Sequence, residues 1–182
     1  MKLRYIPNCY NAFMSTKAGK YKGHNFHGDP TRFEVVAGFI SQTFGNKLKD
    51  IADIAGGRGM LSRILNKKYN YNSVVFDPRG FALLGVDSVT KEFNPQDASY
   101  YDLVIGLHPD QATRPVVEAS LLSNTLVIPC CNFWDQTRKL GRDALLEEIE
   151  KYYIANKVVY KKVILDFDGP KNMGFVTFKN KL

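Results

Sequence analysis

Asp50-Ile51-Ala52-Asp53-Ile54-Ala55-Gly56-Gly57-Arg58-Gly59-Met60 is the stretch that decides the fold. Its apolar first half reads as a short buried strand, its glycines as a sharp turn, and Met60 onward as the start of a helix. A strand–turn–helix of this kind brings backbone N–H groups and the positive end of a helix to one point. Glycine allows both the turn and the close approach of a ligand to the backbone. Downstream, Ser73-Val74-Val75-Phe76-Asp77 is a second apolar strand ending in a carboxylate. An acid about 20 residues beyond the glycines is where a nucleotide-binding α/β fold holds a ribose. A nucleoside-bearing cofactor is therefore expected here.

On the N-terminal side, Asp29-Pro30-Thr31-Arg32 predicts a helix start, with Asp29 as N-cap and Pro30 as the first helical residue. Phe33, Val36, Ala37, Ile40 and Phe44 recur at helical spacing, and Gly45 ends the helix. On the C-terminal side the helix after the glycines turns Leu61, Ile64 and Leu65 inward. A short strand is expected near 86–89 and a clear buried strand over 101–107. A helix follows from Thr113 to Leu122, then a strand over 125–131 and an amphipathic helix over 142–156. Strands at 158–167 and 174–179 form a closing hairpin around Asp168-Gly169-Pro170-Lys171-Asn172. Strand–helix alternation predicts an α/β three-layer sandwich, a mostly parallel seven-stranded sheet with a C-terminal antiparallel hairpin. One domain is expected over 1–182, with a basic arm at 1–31 and a catalytic core at 32–182.

Composition sets the outer limits. The 182 residues, 45% hydrophobic, suit one domain with a sizeable core. No apolar run reaches the roughly 18 residues of a spanning helix, and the N-terminus has no signal-peptide core, so no membrane association and a cytoplasmic location are expected. Cys9, Cys130 and Cys131 are odd in number and two are adjacent, which argues against a disulfide framework. With no spaced second cysteine pair and only His24, His27 and His108, no metal is expected.

The net charge of +7 is concentrated at the ends. Lys2, Arg4, Lys17, Lys20, Lys22 and Arg32 face Asp29 alone in the first stretch, and Lys171, Lys179 and Lys181 close the chain with no acid. Such a region suits a polyanion, RNA being the expected partner; an ordinary basic protein is the plainer alternative. Within the arm, Lys20, Lys22, His24 and His27 alternate with Tyr21 and Phe26. They read either as phosphate and base contacts or as an arm packing its aromatics on the core.

Asp53-Ile54-Ala55-Gly56-Gly57-Arg58-Gly59, the spaced Asp77 and the terminal hairpin together resemble the Rossmann-like, class I S-adenosylmethionine-dependent methyltransferases. The first motif of that family is acid-x-Gly-x-Gly-x-Gly; Ala55 replaces its first glycine. The resemblance implies S-adenosylmethionine as cofactor, with the backbone of Ala55, Gly56, Gly57 and Gly59 facing its amino-acid part. Asp53 would orient the turn or the bound ammonium, and Asp77 would accept from both ribose hydroxyls. Phe76 or Pro78 would pack on adenine, and Asn94 would meet its amine. Leu107, at the end of the fourth strand, is a further candidate cofactor contact.

The run Gly106-Leu107-His108-Pro109-Asp110 and the later Pro129-Cys130-Cys131 resemble a branch with Gly-Leu-His after strand four and Cys-Cys after strand five, some of whose members modify transfer RNA. His108 is the candidate general base, with Asp110 assisting; a strand-end histidine bonded to backbone is the plainer alternative. Asn132 and Phe133 are candidate acceptor contacts. The cysteines read as buried structural residues rather than nucleophiles. The implied function is a methyltransferase acting on RNA. A small-molecule or protein acceptor, or a non-catalytic module binding the same cofactor, stays open.

Overall fold

The computed structural model describes residues 3–4, 28–135 and 137–179. Lys20, Lys22, His24 and His27, and with them nearly all of the basic arm, lie outside the described residues. Eight strands form one sheet in the order β1-β7-β8-β6-β5-β2-β3-β4. They are β1 (Leu3–Arg4), β2 (Asp50–Ile54), β3 (Asn72–Phe76), β4 (Ser88–Val89), β5 (Leu103–Leu107), β6 (Asn124–Ile128), β7 (Val159–Ile164) and β8 (Met173–Phe178). The seven expected strands are present, and β1 adds a two-residue parallel edge to β7. From β4 through β6 the pairing is parallel, and β8 runs antiparallel to both β6 and β7.

Strand alternation builds two cores. Ile51, Leu103, Ile105, Leu126, Ile128 and Val176 face helices α1 (Arg32–Phe44) and α2 (Met60–Tyr69), meeting Val36, Phe39, Ile40, Leu61 and Leu65. The intervening Ala52, Ile54, Val104, Val127 and Phe175 face α3 (Thr113–Glu118) and α4 (Arg142–Ala155), meeting Val116, Val117, Leu145, Ile149 and Tyr153. A parallel sheet covered on both faces needs apolar residues at nearly every strand position, and these strands supply them.

Element ends differ from expectation for local reasons. Helix α1 begins at Arg32 with Thr31 as N-cap; Asp29 accepts from the Thr31 N–H at 2.8 Å and from the Asp168 N–H at 2.8 Å, so it ties the entry of α1 to the β7–β8 turn. The helix expected to reach Leu122 is α3 followed by a 3-10 turn over Ala119–Leu121. The expected strand at 125–131 stops at Ile128, because Pro129 has no N–H with which to continue the ladder. Among the described residues, no helix is long and apolar enough to cross a membrane.

Candidate active site

Strand β2 has β3 on one side and β5 on the other. The chain leaves β2 in one direction along the sheet and returns on the opposite side, which opens a crevice beyond the carboxyl ends of these strands. A cleft of about 570 Å³ lies there. Ile54, Ala55, Phe76, Asp77, Pro78 and Arg79 line one wall; Pro109, Asp110, Gln111, Ala112 and Pro115 line another, with Glu92, Phe93 and Phe133 closing it. Phe76 meets Phe93 and Tyr101 edge-on at 5.3 and 5.8 Å between centroids, so the apolar floor is held rigidly.

The glycine turn rests on a buried acid. Asp53 is 1% exposed and accepts from Ser62 Oγ at 2.9 Å; Ser62 Oγ lies 2.9 Å from Ser73 Oγ. A Cβ at Gly56 would stand 2.6 Å from Asp53 Oδ2, so only glycine fits above the carboxylate. Burial pushes the Asp53 carboxyl up to about 7, against the Ser62 hydrogen bond, which lowers it. Asp53 thus lies beneath the turn rather than in the cleft. Ala55 has φ 53, and its N–H donates to the Phe76 carbonyl at 2.8 Å. A residue with a Cβ holds a left-handed conformation where the resembling family has glycine. Gly57 and Gly59 are left-handed too, with φ 58 and 74, and Gly59 is the N-cap of α2.

Asp77 is buried and fully engaged. Its Oδ1 accepts from Arg79 N at 3.0 Å and Arg79 Nε at 2.9 Å, and its Oδ2 from Gly57 N at 2.9 Å and Arg79 Nη2 at 2.7 Å. The Arg79 guanidinium holds the carboxyl below the usual carboxylate range. Four donors fill the roughly four acceptor positions of a carboxylate. Arg79 is the main site residue that sequence reasoning missed; its only signal was its place two residues after Asp77.

The other expected residues divide. Ala55, Asp77, Pro78, Asp110 and Phe133 line the cleft. Leu107 packs against the α1–α2 core. Asn94 caps the 3-10 turn Pro95–Tyr100, its Oδ1 accepting from Gln96 N at 3.0 Å. The Asn132 amide organises its own loop, donating to the Asp135 and Arg138 carbonyls at 2.7 and 2.6 Å.

His108 and Asp110 flank Pro109 with left-handed φ of 56 and 48. His108 Nε2 lies 2.8 Å from the Lys171 carbonyl oxygen, and its ring meets Phe167 edge-on. A carbonyl only accepts, so Nε2 carries the proton and Nδ1 the lone pair. Burial, then the charges of Arg32 and Lys171, lower the His108 pKa, outweighing the raising effect of the Lys171 carbonyl. Asp110 Oδ1 accepts from the Cys130 thiol at 2.8 Å. Burial, then Asp110, push that thiol up to about 12.

No family model matches the chain, and no curated protein matches it in sequence. Solved structures do match in shape. The plantazolicin methyltransferase BpumL, in complex with a pentazolic desmethylPZN analog and SAH, is 15% identical over 73% of this chain and 68% of its own, with a TM-score of 0.51. A Methanococcus maripaludis protein described as an S-adenosylmethionine-dependent methyltransferase is 14% identical over 82% of this chain and 86% of its own, with a TM-score of 0.51. Streptomyces venezuelae DesVI is 11% identical over 80% and 89%, with a TM-score of 0.53. At these identities the likeness establishes the fold: the chain has the Rossmann-like methyltransferase fold, closing hairpin included.

Two stability measurements follow from the turn. A left-handed residue other than glycine carries roughly 1–2 kcal/mol of strain, partly offset by the entropy glycine loses on folding. Ala55→Gly should therefore raise the urea-unfolding free energy by about 0.5–1 kcal/mol, and a loss of stability would contradict the strain. Folded Asp53 keeps its proton up to about pH 7, whereas the ordinary value is 3.8. The native state therefore binds the extra proton between those values. Its contribution is complete below the lower value, is lost as pH rises to the upper one, and is flat beyond. Relative to Asp53→Asn, the wild type should lose on the order of a few kcal/mol across that window; a difference independent of pH would exclude a buried, protonated Asp53.

Proposed function

We propose that this chain is an S-adenosylmethionine-dependent methyltransferase acting on RNA. The observation that carries the methyltransferase reading is the cleft itself. Ala55 of the left-handed turn and the buried Asp77 carboxylate, whose Oδ2 accepts from the Gly57 N–H, stand side by side in a cleft with an apolar, aromatic floor. These residues fit the cofactor. Phe76, Pro78 and Phe93 supply a flat apolar surface for adenine, and Asp77 supplies two acceptors for a ribose diol. Bound there, the sulfonium would supply an activated methyl group. The turn backbone at Ala55–Gly57 would orient the amino-acid end, and the Pro109–Ala112 wall would position the acceptor. Positioning of this kind accounts for much of the catalysis in a reaction with a good leaving group. Asp110, on that wall, is the acidic group placed to hold the acceptor, and His108 Nδ1 is the available base on the same loop.

RNA as acceptor is supported by the basic ends of the chain. It is also supported by Arg32, Arg142 and Lys171, which gather with Asp29 and Asp143 where the β7–β8 turn meets the end of β5. A cytoplasmic location accompanies this reading. A second reading, a small-molecule acceptor, is favoured by the size of the cleft, about 570 Å³, which lies within the range of small-ligand pockets.

A ribose diol can bind Asp77 only where Arg79 releases one acceptor position on each oxygen. Asp77→Ala should weaken S-adenosylmethionine binding at least tenfold in calorimetry, and Arg79→Ala should tighten it a few-fold. Weaker binding by Arg79→Ala would show that the guanidinium holds the ligand instead of competing with it.

Labelled methyl groups should pass from S-adenosylmethionine to total RNA and not to extracted metabolites, and Asp77→Ala should abolish the transfer. Label confined to metabolites selects the second reading; no binding of S-adenosylmethionine sinks both.

A further inference from the structure

We propose that Asp110, Cys130 and Cys131 form a binding site for one thiophilic divalent cation, zinc in type, at the acceptor end of the cleft. The inference is independent of methyl transfer. Strands β5 and β6 are parallel neighbours with Leu107 opposite Ile128, so the segments leaving them run side by side. That register brings Asp110 to a cysteine pair twenty positions away. One potential ligand atom from each of the three residues lies within 4.8 Å of the other two. Cys130 Sγ and Asp110 Oδ1 are 2.8 Å apart. A four-coordinate zinc ion, with bonds of about 2.3 Å to sulfur and about 2.0 Å to oxygen, sets its ligand atoms roughly 3.5–3.8 Å apart. The Asp110–Cys130 pair is closer than that spacing and every pair lies within 4.8 Å, so side-chain rotation without backbone movement brings the three atoms to it.

The donor set selects the ion. Two sulfurs and one carboxylate oxygen suit zinc and its softer relatives, whereas magnesium and calcium take oxygen alone. Lys171 Nζ donates to Cys131 Sγ at 3.6 Å, which fixes the position of that sulfur beside the other two groups. Binding forms two metal–sulfur bonds and one metal–oxygen bond and releases the two thiol protons to solvent, with no change of oxidation state. Three protein ligands leave a fourth position open, as in catalytic rather than closed structural zinc sites. Asp110 lies on the cleft wall, so that position belongs to the region where an acceptor would stand. The left-handed backbone at His108 and Asp110 directs the carboxylate away from His108 and toward the cysteines.

The test uses the full-length, reduced, chelator-stripped protein, titrated with Zn²⁺ against a chromophoric chelator. One equivalent should bind, and magnesium in excess should not displace it. Cys130→Ser, Cys131→Ser and Asp110→Asn should each weaken binding by about 10- to 100-fold, with circular dichroism confirming that each variant is folded. Cobalt in place of zinc should give a thiolate-to-metal absorption band that Cys130→Ser and Cys131→Ser each diminish. Cys9→Ser should change nothing. No stoichiometric zinc, or affinity unchanged by both Cys130→Ser and Cys131→Ser, overturns the proposal. Loss of binding through Cys9→Ser or His24→Ala alone would place the ion elsewhere and overturn it equally.

Discussion

The cleft depends on one constraint: β2 must be covered on both faces while its end stays open. Its neighbours on each side are parallel strands, and its alternate residues enter two separate cores. Asp53 is the one carboxylate admitted to this strand's buried interior, on the side where Ser62 and Ser73 can hydrogen-bond to it. Buried acids are costly unless partnered, and here the acid lies directly under the backbone of Gly56. The turn is therefore shaped from below by a polar group rather than by apolar packing. That keeps the N–H-rich backbone above it from collapsing into the core.

A second tie joins this turn to β3. The Gly57 N–H ends on Asp77, so the loop after β2 and the end of β3 move as one unit. Arg79 completes the arrangement by satisfying what Gly57 leaves of the carboxylate. In the free protein a buried acid is thereby never left unpartnered. A bidentate guanidinium is a strong partner for a carboxylate, so Asp77 is held firmly in place. Phe76, Phe93 and Pro78 set flat apolar surface beside it in the same cleft.

The sheet was legible because its buried strands are continuous apolar runs and its helices have one apolar face. What escaped was short or governed by partners distant in sequence. Strand β1 is two residues long and pairs with a strand more than 150 residues away. The start of α1 shifted because Asp29 turns its carboxylate to Thr31 and Asp168 instead of closing the first helical turn. Asp53 and Asp77 were legible as carboxylates near the ends of β2 and β3, although only Asp77 reaches the cleft. Asn94 and Asn132 show the limit of that reasoning. Short amide side chains readily bond to nearby backbone, and both do so here, a choice that residue type and spacing alone do not reveal. The cluster of Asp110 with Cys130 and Cys131 depends on strand register, which joins residues that no local motif connects.

The acceptor end is divided by its own backbone. Pro109 stands between two left-handed residues, so His108 and Asp110 leave the loop in different directions. The imidazole reaches the β7–β8 turn, bonding to Lys171 and packing against Phe167; the carboxylate reaches the chain beyond β6. Each residue thereby joins the end of β5 to a different neighbouring element, and the loop is braced on both sides. Non-glycine residues persist in such conformations only where their surroundings hold them there, and these two contacts are the restraints. The same bracing separates the two groups that the sequence places one residue apart. Asp110 thus lines the cleft, while His108 Nε2 ties the same loop to the β7–β8 hairpin.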